Sequence, residues 1–305
     1  MTDHEPCTGY LAASGYEAQL ATELGDPAER HGRLFVVPGA ARPAAWASNT
    51  WHDLRRLPIE SIGHGAKTLR AIQRNWWLHT TDHHRRATLI QDKLPHVSAK
   101  PLEFPAPAPG APLGSWTLVA PDLMLASSRC SSPFPDGEVV FVQDRESPPN
   151  RAYLKLFEAL TLFGALPGPG DVCLDLGSSP GGWTWVLQKT GAHVVSVDKA
   201  PLAPHIAALP EITFRQESAF GLDPRELRRV DWLFCDVACY PERLFELVQR
   251  WSDVCPRMVC TLKFQGDTDH ETSARFAALE HSRLLHLHHN KHELTWMRDA
   301  LGSQA

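Results

Sequence analysis

The chain has 305 residues, of which 43% are hydrophobic, and its net charge is −5 at neutral pH. This length is enough for one large domain or two smaller ones. No stretch approaches the ~18 consecutive apolar residues of a membrane-spanning helix, so a membrane protein is not expected. The acidic balance also argues against a uniformly basic nucleic-acid-binding protein.

The N-terminal sequence and the cysteines indicate the compartment. Met1–Pro6 is polar and partly acidic, which is unlike a secretory signal. The seven cysteines include no Cys-x-x-Cys pair, and four of them lie in apolar runs. We therefore expect a reduced, cytoplasmic protein with buried thiols.

The first half of the chain mixes both element types. Strands are predicted at Gly9–Ala13, Arg33–Val37, Trp116–Ala126 and Glu138–Gln143, and helices at Tyr16–Leu24, His64–Trp77 and Arg85–Leu94. The proline-rich stretch 101–114 predicts an extended, semi-rigid connector. We expect a small α+β domain over residues 1–145.

Positive charge is concentrated between residues 51 and 100, where nine basic and four acidic residues give a local charge of about +5. That segment could contact a structured RNA, although a solvated charged face explains the charge equally well. Trp76 and Trp77, beside Arg70 and Arg74, could stack on unpaired bases. The alternative is that these tryptophans belong to the core of the small domain.

The second half alternates strands and helices and is expected to form one domain over residues 146–305. Helices are predicted at Pro149–Phe163, Pro241–Trp251 and Thr272–His281, and strands at Asp171–Leu176, Ala192–Asp198, Ile212–Arg215, Val230–Val237 and Met258–Phe264. Two further strands within Arg283–Met297 are expected to form a hairpin. The alternation predicts an α/β fold with a mainly parallel sheet covered on both faces.

A glycine-rich turn follows the first strand of this domain. Gly177, Gly181 and Gly182 allow positive φ angles and close approach of the backbone to a ligand. Asp198 ends the next strand, where its carboxylate could accept hydrogen bonds from a ribose diol. Strand, turn, helix, strand and acid together predict a nucleoside-binding βαβ unit.

The spacing within the turn indicates which nucleoside cofactor is bound. A dinucleotide-binding oxidoreductase normally has Gly-x-Gly-x-x-Gly, whereas this turn has Gly177 followed by Gly181 and Gly182. The broader turn favours S-adenosylmethionine over a diphosphate cofactor. Asp175 could hold the turn or, through water, the methionine ammonium group. A purely structural glycine turn would not need Asp198.

These motifs resemble the FtsJ/RrmJ family of RNA ribose 2′-O-methyltransferases. The resemblance is carried by Asp175–Trp183, Arg151–Leu156, Asp231–Asp236, Thr261–Phe264 and His292–Trp296. It implies a Rossmann-like, S-adenosylmethionine-dependent methyltransferase domain, and the pattern of both halves is similar to the branch that methylates a cytidine ribose of 23S rRNA. A looser N-terminal similarity, at Gly9–Leu11, Gly15–Glu17 and Ser132–Pro135, implies a divergent, RNA-binding THUMP-like region. The cofactor-binding positions that it implies are Asp175, Gly177, Ser178, Ser179, Pro180, Gly181, Gly182, Trp183, Asp198, Ser218 and Asp236.

Lys263 is the most unusual residue of the second half, because it ends an apolar strand in a covered sheet. Ligands bind beyond the carboxyl ends of such strands, where Asp236 would also lie. A ribose hydroxyl needs a base to remove its proton, and a lysine can serve if its pKa is lowered. Taken alone, a surface lysine that extends its amine into water is the favoured interpretation.

The resemblance assigns Lys263 as the proton acceptor. It also implies that Lys155 lowers the pKa of Lys263 and orients the ribose, while Asp236 and Glu293 position the lysines. Taken separately, Lys155 could be a solvated helix residue, Asp236 a helix cap and Glu293 a residue facing water. Their joint occurrence in family order argues against these separate explanations.

One position departs from the family pattern. An acid that commonly contacts the adenine amino group is replaced by Ser218, whose hydroxyl is a weaker partner than a carboxylate. Glu217 is the alternative if the register shifts by one residue. If the register does not shift, we expect this departure to weaken cofactor binding.

Two groups of residues could suggest a metal, but none is expected. His286 and His288 are predicted on one face of a strand, without a cysteine or acid at ligand spacing. Cys235, Cys239, Cys255 and Cys260 could suggest zinc, yet Cys235 and Cys260 are predicted in adjacent core strands.

The sequence therefore predicts a cytoplasmic RNA 2′-O-methyltransferase that acts on 23S rRNA. The alternatives are an inactive RNA-binding protein that retains the methyltransferase fold and, less favoured, a Rossmann oxidoreductase.

Overall fold

The computed structural model describes residues 6–25, 27 and 29–302. Residues 1–5, which belong to the polar N-terminal sequence, lie outside the described residues. The described chain forms two compact units. The N-terminal unit comprises the residues up to Leu102 together with Ala108–Val140, and the C-terminal unit comprises Glu103–Pro107 together with the chain from Phe141 onward. The predicted domain boundary lay at residues 145 and 146.

The N-terminal unit contains two sheets and three helices. Its strands are β1 (Cys7–Ala12), β2 (Glu29–His31), β3 (Leu34–Pro38), β4 (Ala47–His52), β5 (Arg55–Pro58), β6 (Trp76–Leu78), β7 (Gly114–Ala120), β8 (Leu123–Ser127) and β9 (Arg129–Cys130). Its helices are α1 (Glu17–Leu24), α2 (Ile62–Ile72) and α3 (His84–Gln91). The antiparallel first sheet has the order β2-β3-β1-β4-β9, and the second has the order β5-β8-β7-β6.

The second sheet shares its core with α2 and α3. Trp76 and Trp116 are fully buried there with Leu69 and Ile90. The indole of Trp76 donates a hydrogen bond to the Leu69 carbonyl at 2.9 Å, and that of Trp116 donates to the Gln91 side chain at 2.9 Å. Both polar indole groups are thereby satisfied inside the core, as burial requires.

Three predicted elements of the N-terminal half are wrong. The single strand expected over Trp116–Ala126 is two antiparallel strands, β7 and β8, because the chain turns at Pro121 and Asp122. The helix over His64–Trp77 ends at Ile72, because Gln73 is extended and Trp76–Leu78 form an edge strand beside β7. The segment Glu138–Gln143, which is described in full, forms no strand. Val139 and Phe141 are buried, but burial of two apolar residues does not supply the hydrogen-bonded neighbour that a strand needs.

The proline-rich stretch 101–114 is divided between the two units. Glu103–Pro107 belongs to the C-terminal unit, and the chain from Ala108 belongs to the N-terminal unit again. Within the C-terminal unit, the ring of Phe104 stacks on Phe157 with centroids 4.0 Å apart. This contact packs part of the proline-rich stretch against a helix of the C-terminal unit.

The C-terminal unit contains a seven-stranded sheet and five helices. Its strands are β10 (Val172–Leu176), β11 (His193–Asp198), β12 (Ile212–Gln216), β13 (Trp232–Cys235), β14 (Arg257–Lys263), β15 (Ser282–Leu285) and β16 (Glu293–Asp299). Its helices are α4 (Tyr153–Phe163), α5 (Gly182–Lys189), α6 (Pro204–Ala207), α7 (Pro241–Trp251) and α8 (His270–Ala277). The sheet order is β12-β11-β10-β13-β14-β16-β15.

The strand order reverses direction between β10 and β13. From β10 the chain builds outward to β11 and β12, then returns to place β13 on the other side of β10. Strands β10 to β14 are parallel, and ligands of such sheets bind where the order reverses, beyond the carboxyl ends of the strands. The predicted mainly parallel α/β sheet is confirmed, as is the closing hairpin of β15 and β16.

Cys235 and Cys260 lie opposite each other in β13 and β14, as predicted for two buried core thiols. The predicted buried thiols are confirmed at five positions, which are Cys173, Cys235, Cys239, Cys255 and Cys260. Among the helices that the structure describes, none is long and apolar enough to cross a membrane.

We predict that Trp76 and Trp77 differ sharply in their contribution to stability. Trp76→Ala removes a fully buried ring and its indole hydrogen bonds, so it should lower the free energy of unfolding by about 3–5 kcal/mol. Trp77 is only half-buried, so Trp77→Ala should cost clearly less. Urea unfolding followed by circular dichroism measures both, and equal losses would contradict this assignment of the core.

Candidate active site

Four polar side chains meet at the carboxyl edge of the parallel strands. The Lys155 amine lies 2.7 Å from Glu293 Oε1 and 3.0 Å from Asp236 Oδ1. The Lys263 amine lies 3.1 Å from the same Asp236 oxygen and donates a hydrogen bond to the Asp236 carbonyl. The structure thus brings together the four residues that the family resemblance grouped. We call Lys155, Asp236, Lys263 and Glu293 the tetrad.

The elements explain why these side chains converge. Asp236 directly follows β13, and Lys263 ends the neighbouring strand β14. Strand β16 is antiparallel to β14, and its first residue, Glu293, lies opposite Lys263 in the register. Lys155 lies in the first turn of α4. Two strand ends, one strand start and one helix start therefore share the same edge.

Burial and contacts exclude the non-catalytic explanations for three of these residues, which were a solvated lysine, a helix cap and a glutamate that faces water. Lys155 is 7% exposed and Glu293 is 8% exposed, so neither is a solvated surface residue. Asp236 caps no described helix and binds both lysines instead. Lys263 is the most accessible member of the tetrad, with 25% of its side chain exposed.

The charges of the tetrad stabilise one another. Burial alone would lower the pKa of Lys155, but the charges of Asp236 and Glu293 outweigh burial and raise this pKa above its usual value. Burial alone would raise the pKa of Asp236, yet Lys155 and Lys263 lower it below its usual value. At neutral pH, Lys155 is therefore a cation and Asp236 an anion.

Trp183 packs beneath the tetrad. Its indole donates a hydrogen bond to the Ala152 carbonyl at 3.0 Å, and the Lys155 amine lies 5.9 Å from its ring centroid. The residue is 3% exposed. In this position Trp183 joins the glycine-turn helix α5 to the start of α4.

The glycine turn is closely packed. Gly177 has a φ of +78°, and a Cβ there would come within 2.7 Å of Val237. A Cβ on Gly182 would come within 2.3 Å of the Asn150 side-chain oxygen, which also accepts a hydrogen bond from the Ala152 amide. Side chains at these two positions would displace the chain that leads into α4 and the segment that follows Asp236.

Asp198 binds the backbone of the turn. Its carboxylate accepts hydrogen bonds from the Ser179 amide at 3.0 Å and from the Ala200 amide at 2.9 Å. A carboxylate has about four lone-pair positions, so two acceptor sites remain for a ligand. The Ser179 hydroxyl donates to the Pro201 carbonyl, and the turn continues through Pro180 and Gly181 into α5.

Asp175 lies beneath the turn and is fully buried. Its Oδ2 accepts a hydrogen bond from Thr184 on α5 at 2.6 Å, which ties β10 to that helix. Burial raises the pKa of Asp175 to about 7, although the hydrogen bond from Thr184 acts in the opposite direction. Of the two roles expected from the sequence, these contacts favour holding the turn.

The turn has polar groups suited to a nucleoside ligand. Asp175 Oδ1 and the Ser178 hydroxyl are buried without a hydrogen-bond partner among the described residues. Because buried polar atoms are normally paired, such atoms beside a glycine cradle fit a site for a polar ligand. The residues present therefore fit S-adenosylmethionine.

At the position where the family pattern has an acid, Ser218 presents a hydroxyl instead of a carboxylate. Ser218 is half-buried, and its carbonyl accepts a hydrogen bond from the Gly221 amide. Glu217, the alternative, forms an ion pair with Arg215, which also binds Glu226. The Glu217 carboxylate is therefore already engaged.

The sequence reading missed three residues that organise the site. Asn150 caps the approach to α4, Thr184 binds Asp175, and Glu158 binds the turn before β16. Asn150 could have been found as a capping residue type just before a helix. Nothing in the linear pattern marks Thr184 or Glu158.

The placement of His286 and His288 on a strand is wrong. Strand β15 ends at Leu285, and both histidines lie in the turn to β16, where Glu158 binds two successive backbone amides. His286 is buried with its Nε2 3.0 Å from the Lys291 carbonyl, whereas His288 is exposed. No group of three or more metal-ligating side chains occurs within the described part of the chain.

The parallel sheet with its reversal point, the glycine turn and the acid that ends β11 form an α/β unit of the nucleoside-binding type. Residues 148–299 match the model of the FtsJ-like methyltransferase family, and this part of the chain belongs to that family.

Several proteins named ribosomal RNA large subunit methyltransferase M are similar to this chain. The protein from Halorhodospira halophila is 42% identical over 106 residues, covering 34% of this chain and 31% of its own. The protein from Alkalilimnicola ehrlichii is 34% identical over 197 residues, covering 59% of this chain and 54% of its own. The chain thus spans about half or less of the length of these relatives.

A solved structure also matches part of the chain. It is the 1,6-didemethyltoxoflavin-N1-methyltransferase of Burkholderia thailandensis, at 18% identity and a TM-score of 0.36, covering 48% of this chain and 78% of that one.

We predict that Asp175 makes stability depend on pH. Its folded-state pKa of about 7 lies above the unfolded value, so its stabilising protonated form is lost as the pH rises through 7. Relative to Asp175→Asn, the wild-type free energy of unfolding should fall by about 3 kcal/mol between pH 5 and pH 8. Urea unfolding of both proteins without cofactor measures this difference, and parallel pH profiles would contradict it.

Proposed function

We propose that the chain transfers a methyl group from S-adenosylmethionine to a ribose 2′-hydroxyl of large-subunit ribosomal RNA, in the cytoplasm. The observation that carries this proposal is the tetrad of Lys155, Asp236, Lys263 and Glu293 beside the glycine turn. Two lysines and two carboxylates suit activation of a hydroxyl. The family of residues 148–299 and the names of the relatives support the same reaction.

Lys263 is the proton acceptor in this proposal. Its amine is the most accessible of the tetrad, and its contacts with Asp236 hold it at the edge of the sheet. To act as a base, Lys263 must be neutral when the ribose binds. It then takes the 2′-hydroxyl proton as the oxygen attacks and becomes an ammonium group.

Lys155 orients the ribose as a permanent cation. Because Asp236 and Glu293 raise its pKa, Lys155 keeps its proton and can donate a hydrogen bond to the ribose oxygen. The pair of carboxylates fixes the amine in one position, so the nucleophile is aligned before reaction. Alignment of this kind accounts for much of the rate in a methyl transfer.

Bound at the glycine turn, S-adenosylmethionine would supply an electrophilic methyl group on a sulfonium sulfur. The bond between methyl carbon and sulfur would break as the O–C bond forms at the ribose, which leaves a neutral thioether. The hydroxyl proton would move to Lys263, from which solvent would later remove it.

Cofactor binding in this proposal divides between the glycine turn and Asp198. Asp198 accepts hydrogen bonds from the cofactor ribose, and Ser218 lies toward the adenine. The turn and the start of the helix that follows it are formed by Gly177, Ser178, Ser179, Pro180, Gly181, Gly182 and Trp183. The uncommitted lone pairs of Asp198 and the unpaired Ser178 hydroxyl support this arrangement.

The N-terminal unit is proposed to grip the RNA, as a divergent THUMP-like region. Lys67 and Arg70 lie one turn apart on the exposed side of α2, and neither forms an ion pair with a carboxylate in the described part of the chain. Arg74, Lys93 and Lys100 are exposed as well. Such uncompensated cations suit a phosphate backbone.

The alternative of an inactive RNA-binding protein is supported by the Ser218 departure and by the acidic charge balance of the chain. The complete tetrad favours the enzyme, because a buried cation held by two carboxylates has no evident use in binding alone.

The proposed function is tested by transfer of a labelled methyl group to undermethylated total RNA, followed by mapping of the product. We expect one methylated ribose in large-subunit rRNA. A label on a base, or no label with full-length rRNA and with ribosomal particles, would refute the proposal.

We predict that Lys263→Ala and Lys263→Arg both lower kcat by at least about 100-fold, because arginine keeps the charge but does not accept a proton at neutral pH. The Kd for S-adenosylmethionine from calorimetry should change less than about twofold. Lys189→Ala, at the far end of α5, is the matched lysine control. Retained activity in either Lys263 variant would refute the assigned base.

We predict that replacing both Lys67 and Arg70 by alanine weakens RNA binding and reduces the salt dependence of the binding constant by about one to two phosphate contacts. Arg129→Ala is the control, because Arg129 is already paired with Asp53. Filter binding at several salt concentrations measures the slope, and an unchanged slope would exclude this face of α2 as the contact.

A further inference from the structure

Glu158 is a buried carboxylate that the proposed chemistry does not use. It lies on α4, three residues after Lys155, and is 2% exposed. Its only ion-pair partner among the described residues is the His289 ring, at 2.7 Å. Burying a carboxylate without a lysine or arginine is costly, so packing alone does not explain the residue.

Both oxygens of Glu158 bind the turn that joins β15 to β16. Oε1 accepts the His288 amide at 2.7 Å, and Oε2 accepts the His289 amide at 3.0 Å together with the ring contact. A carboxylate that accepts two successive backbone amides fixes that piece of chain in position and direction. The helix that carries Lys155 therefore also anchors this turn.

Residues of this turn between β15 and β16 also hold Glu293. The side-chain amide of Asn290 donates to the Glu293 carbonyl at 3.1 Å and to Thr295 Oγ1 at 3.2 Å. The Lys291 amide donates to Glu293 Oε1 at 3.3 Å, and the Glu293 amide donates to the Lys291 carbonyl. Backbone and side chain of Glu293 are thus both set by residues of this turn.

Helix α4 consequently meets the start of β16 twice. One contact is direct, from Lys155 to Glu293 Oε1, and the other runs from Glu158 through the turn to Glu293. The two contacts begin one helical turn apart on the same helix. Together they fix the distance between the Lys155 amine and the Glu293 carboxylate.

We propose that Glu158 is a positioning residue, which holds the β15–β16 turn so that Glu293 fixes Lys155 in the tetrad. This inference rests on the proposed methyl transfer. It gives α4 a second function beyond carrying Lys155, and it makes the turn a part of the active site.

The test is a double-mutant cycle on kcat. In Glu158→Gln, one oxygen is replaced by an amide nitrogen, which cannot accept the second backbone N–H. We expect kcat to fall by about 10–100-fold, while the RNA KM and the S-adenosylmethionine Kd change less than about twofold. In a Glu293→Gln background the same change should cost less than about threefold, because Glu158 acts through Glu293. Losses that multiply independently would overturn the proposal.

Two further variants separate positioning from stability. Asn290→Ser breaks the link between the turn and Glu293, so it should reproduce the kcat loss and its dependence on Glu293 even if Glu158→Gln does not fold. Leu160→Ala empties a buried position on the same helix and should lower Tm without lowering kcat below that temperature. A kcat loss in Leu160→Ala as large as in Glu158→Gln would overturn the proposal.

Hydrogen exchange gives a readout that does not depend on activity. Glu158→Gln and Asn290→Ser should both speed amide exchange in the peptide 286–293 and leave the β14 peptide 258–263 unchanged. Unchanged exchange in 286–293 would overturn the proposal. A wild-type chain that methylates no RNA would refute the proposed function, and the exchange result would still decide whether Glu158 holds Glu293.

Discussion

The structure of the site depends on a single carboxylate oxygen that two lysines share. Asp236 Oδ1 lies 3.0 Å from the Lys155 amine and 3.1 Å from the Lys263 amine. Two cations this close would repel each other strongly at a buried edge, so the oxygen between them and the second carboxylate of Glu293 are what permit the arrangement. The tetrad carries no net charge when all four groups are ionised. A neutral cluster can be buried at lower cost than any of its members alone.

Although the two lysines share one oxygen of Asp236, their surroundings differ. Lys155 has two carboxylates and little contact with solvent, so its proton is held. Lys263 is bound by Asp236 and keeps a quarter of its side chain accessible. In the proposed reaction, Lys155 is the fixed cation and Lys263 is the acceptor of the substrate proton. The fold creates the difference, because Lys155 projects from a helix under the edge while Lys263 ends a strand.

The sequence predicted the parts of the site that are local, and not those that depend on register. The glycine turn, Asp198 and the strand ends at Asp236 and Lys263 could be read from short patterns, because each is fixed by its own few residues. The pairing of Glu293 with Lys263 depends on the antiparallel register of β14 and β16, which no local pattern carries. The four residues were grouped through a family resemblance, and only the structure supplies their distances.

The predicted elements that proved wrong also depend on partners that only the folded sheet provides. Helical spacing continued through Trp76, yet the ring fills a core beside β7 that only the folded sheet provides. Strands were also expected at Glu138–Gln143 and at His286–His288, but neither segment forms a strand, because strand formation needs a hydrogen-bonded neighbour that only the folded sheet supplies. At the histidines, the backbone amides that a strand would need are taken by Glu158.

At the proposed adenine end of the cofactor site, Glu217 is held by an ion pair with Arg215. Glu217 could replace the missing acid only by leaving Arg215, and Arg215 would then keep Glu226 as its single partner. Because breaking an ion pair to form another gains little, Glu217 is better placed to hold the end of β12 than to bind a ligand. In the proposed function, recognition of the cofactor then depends more on the glycine turn and on Asp198 than on a carboxylate beside the adenine.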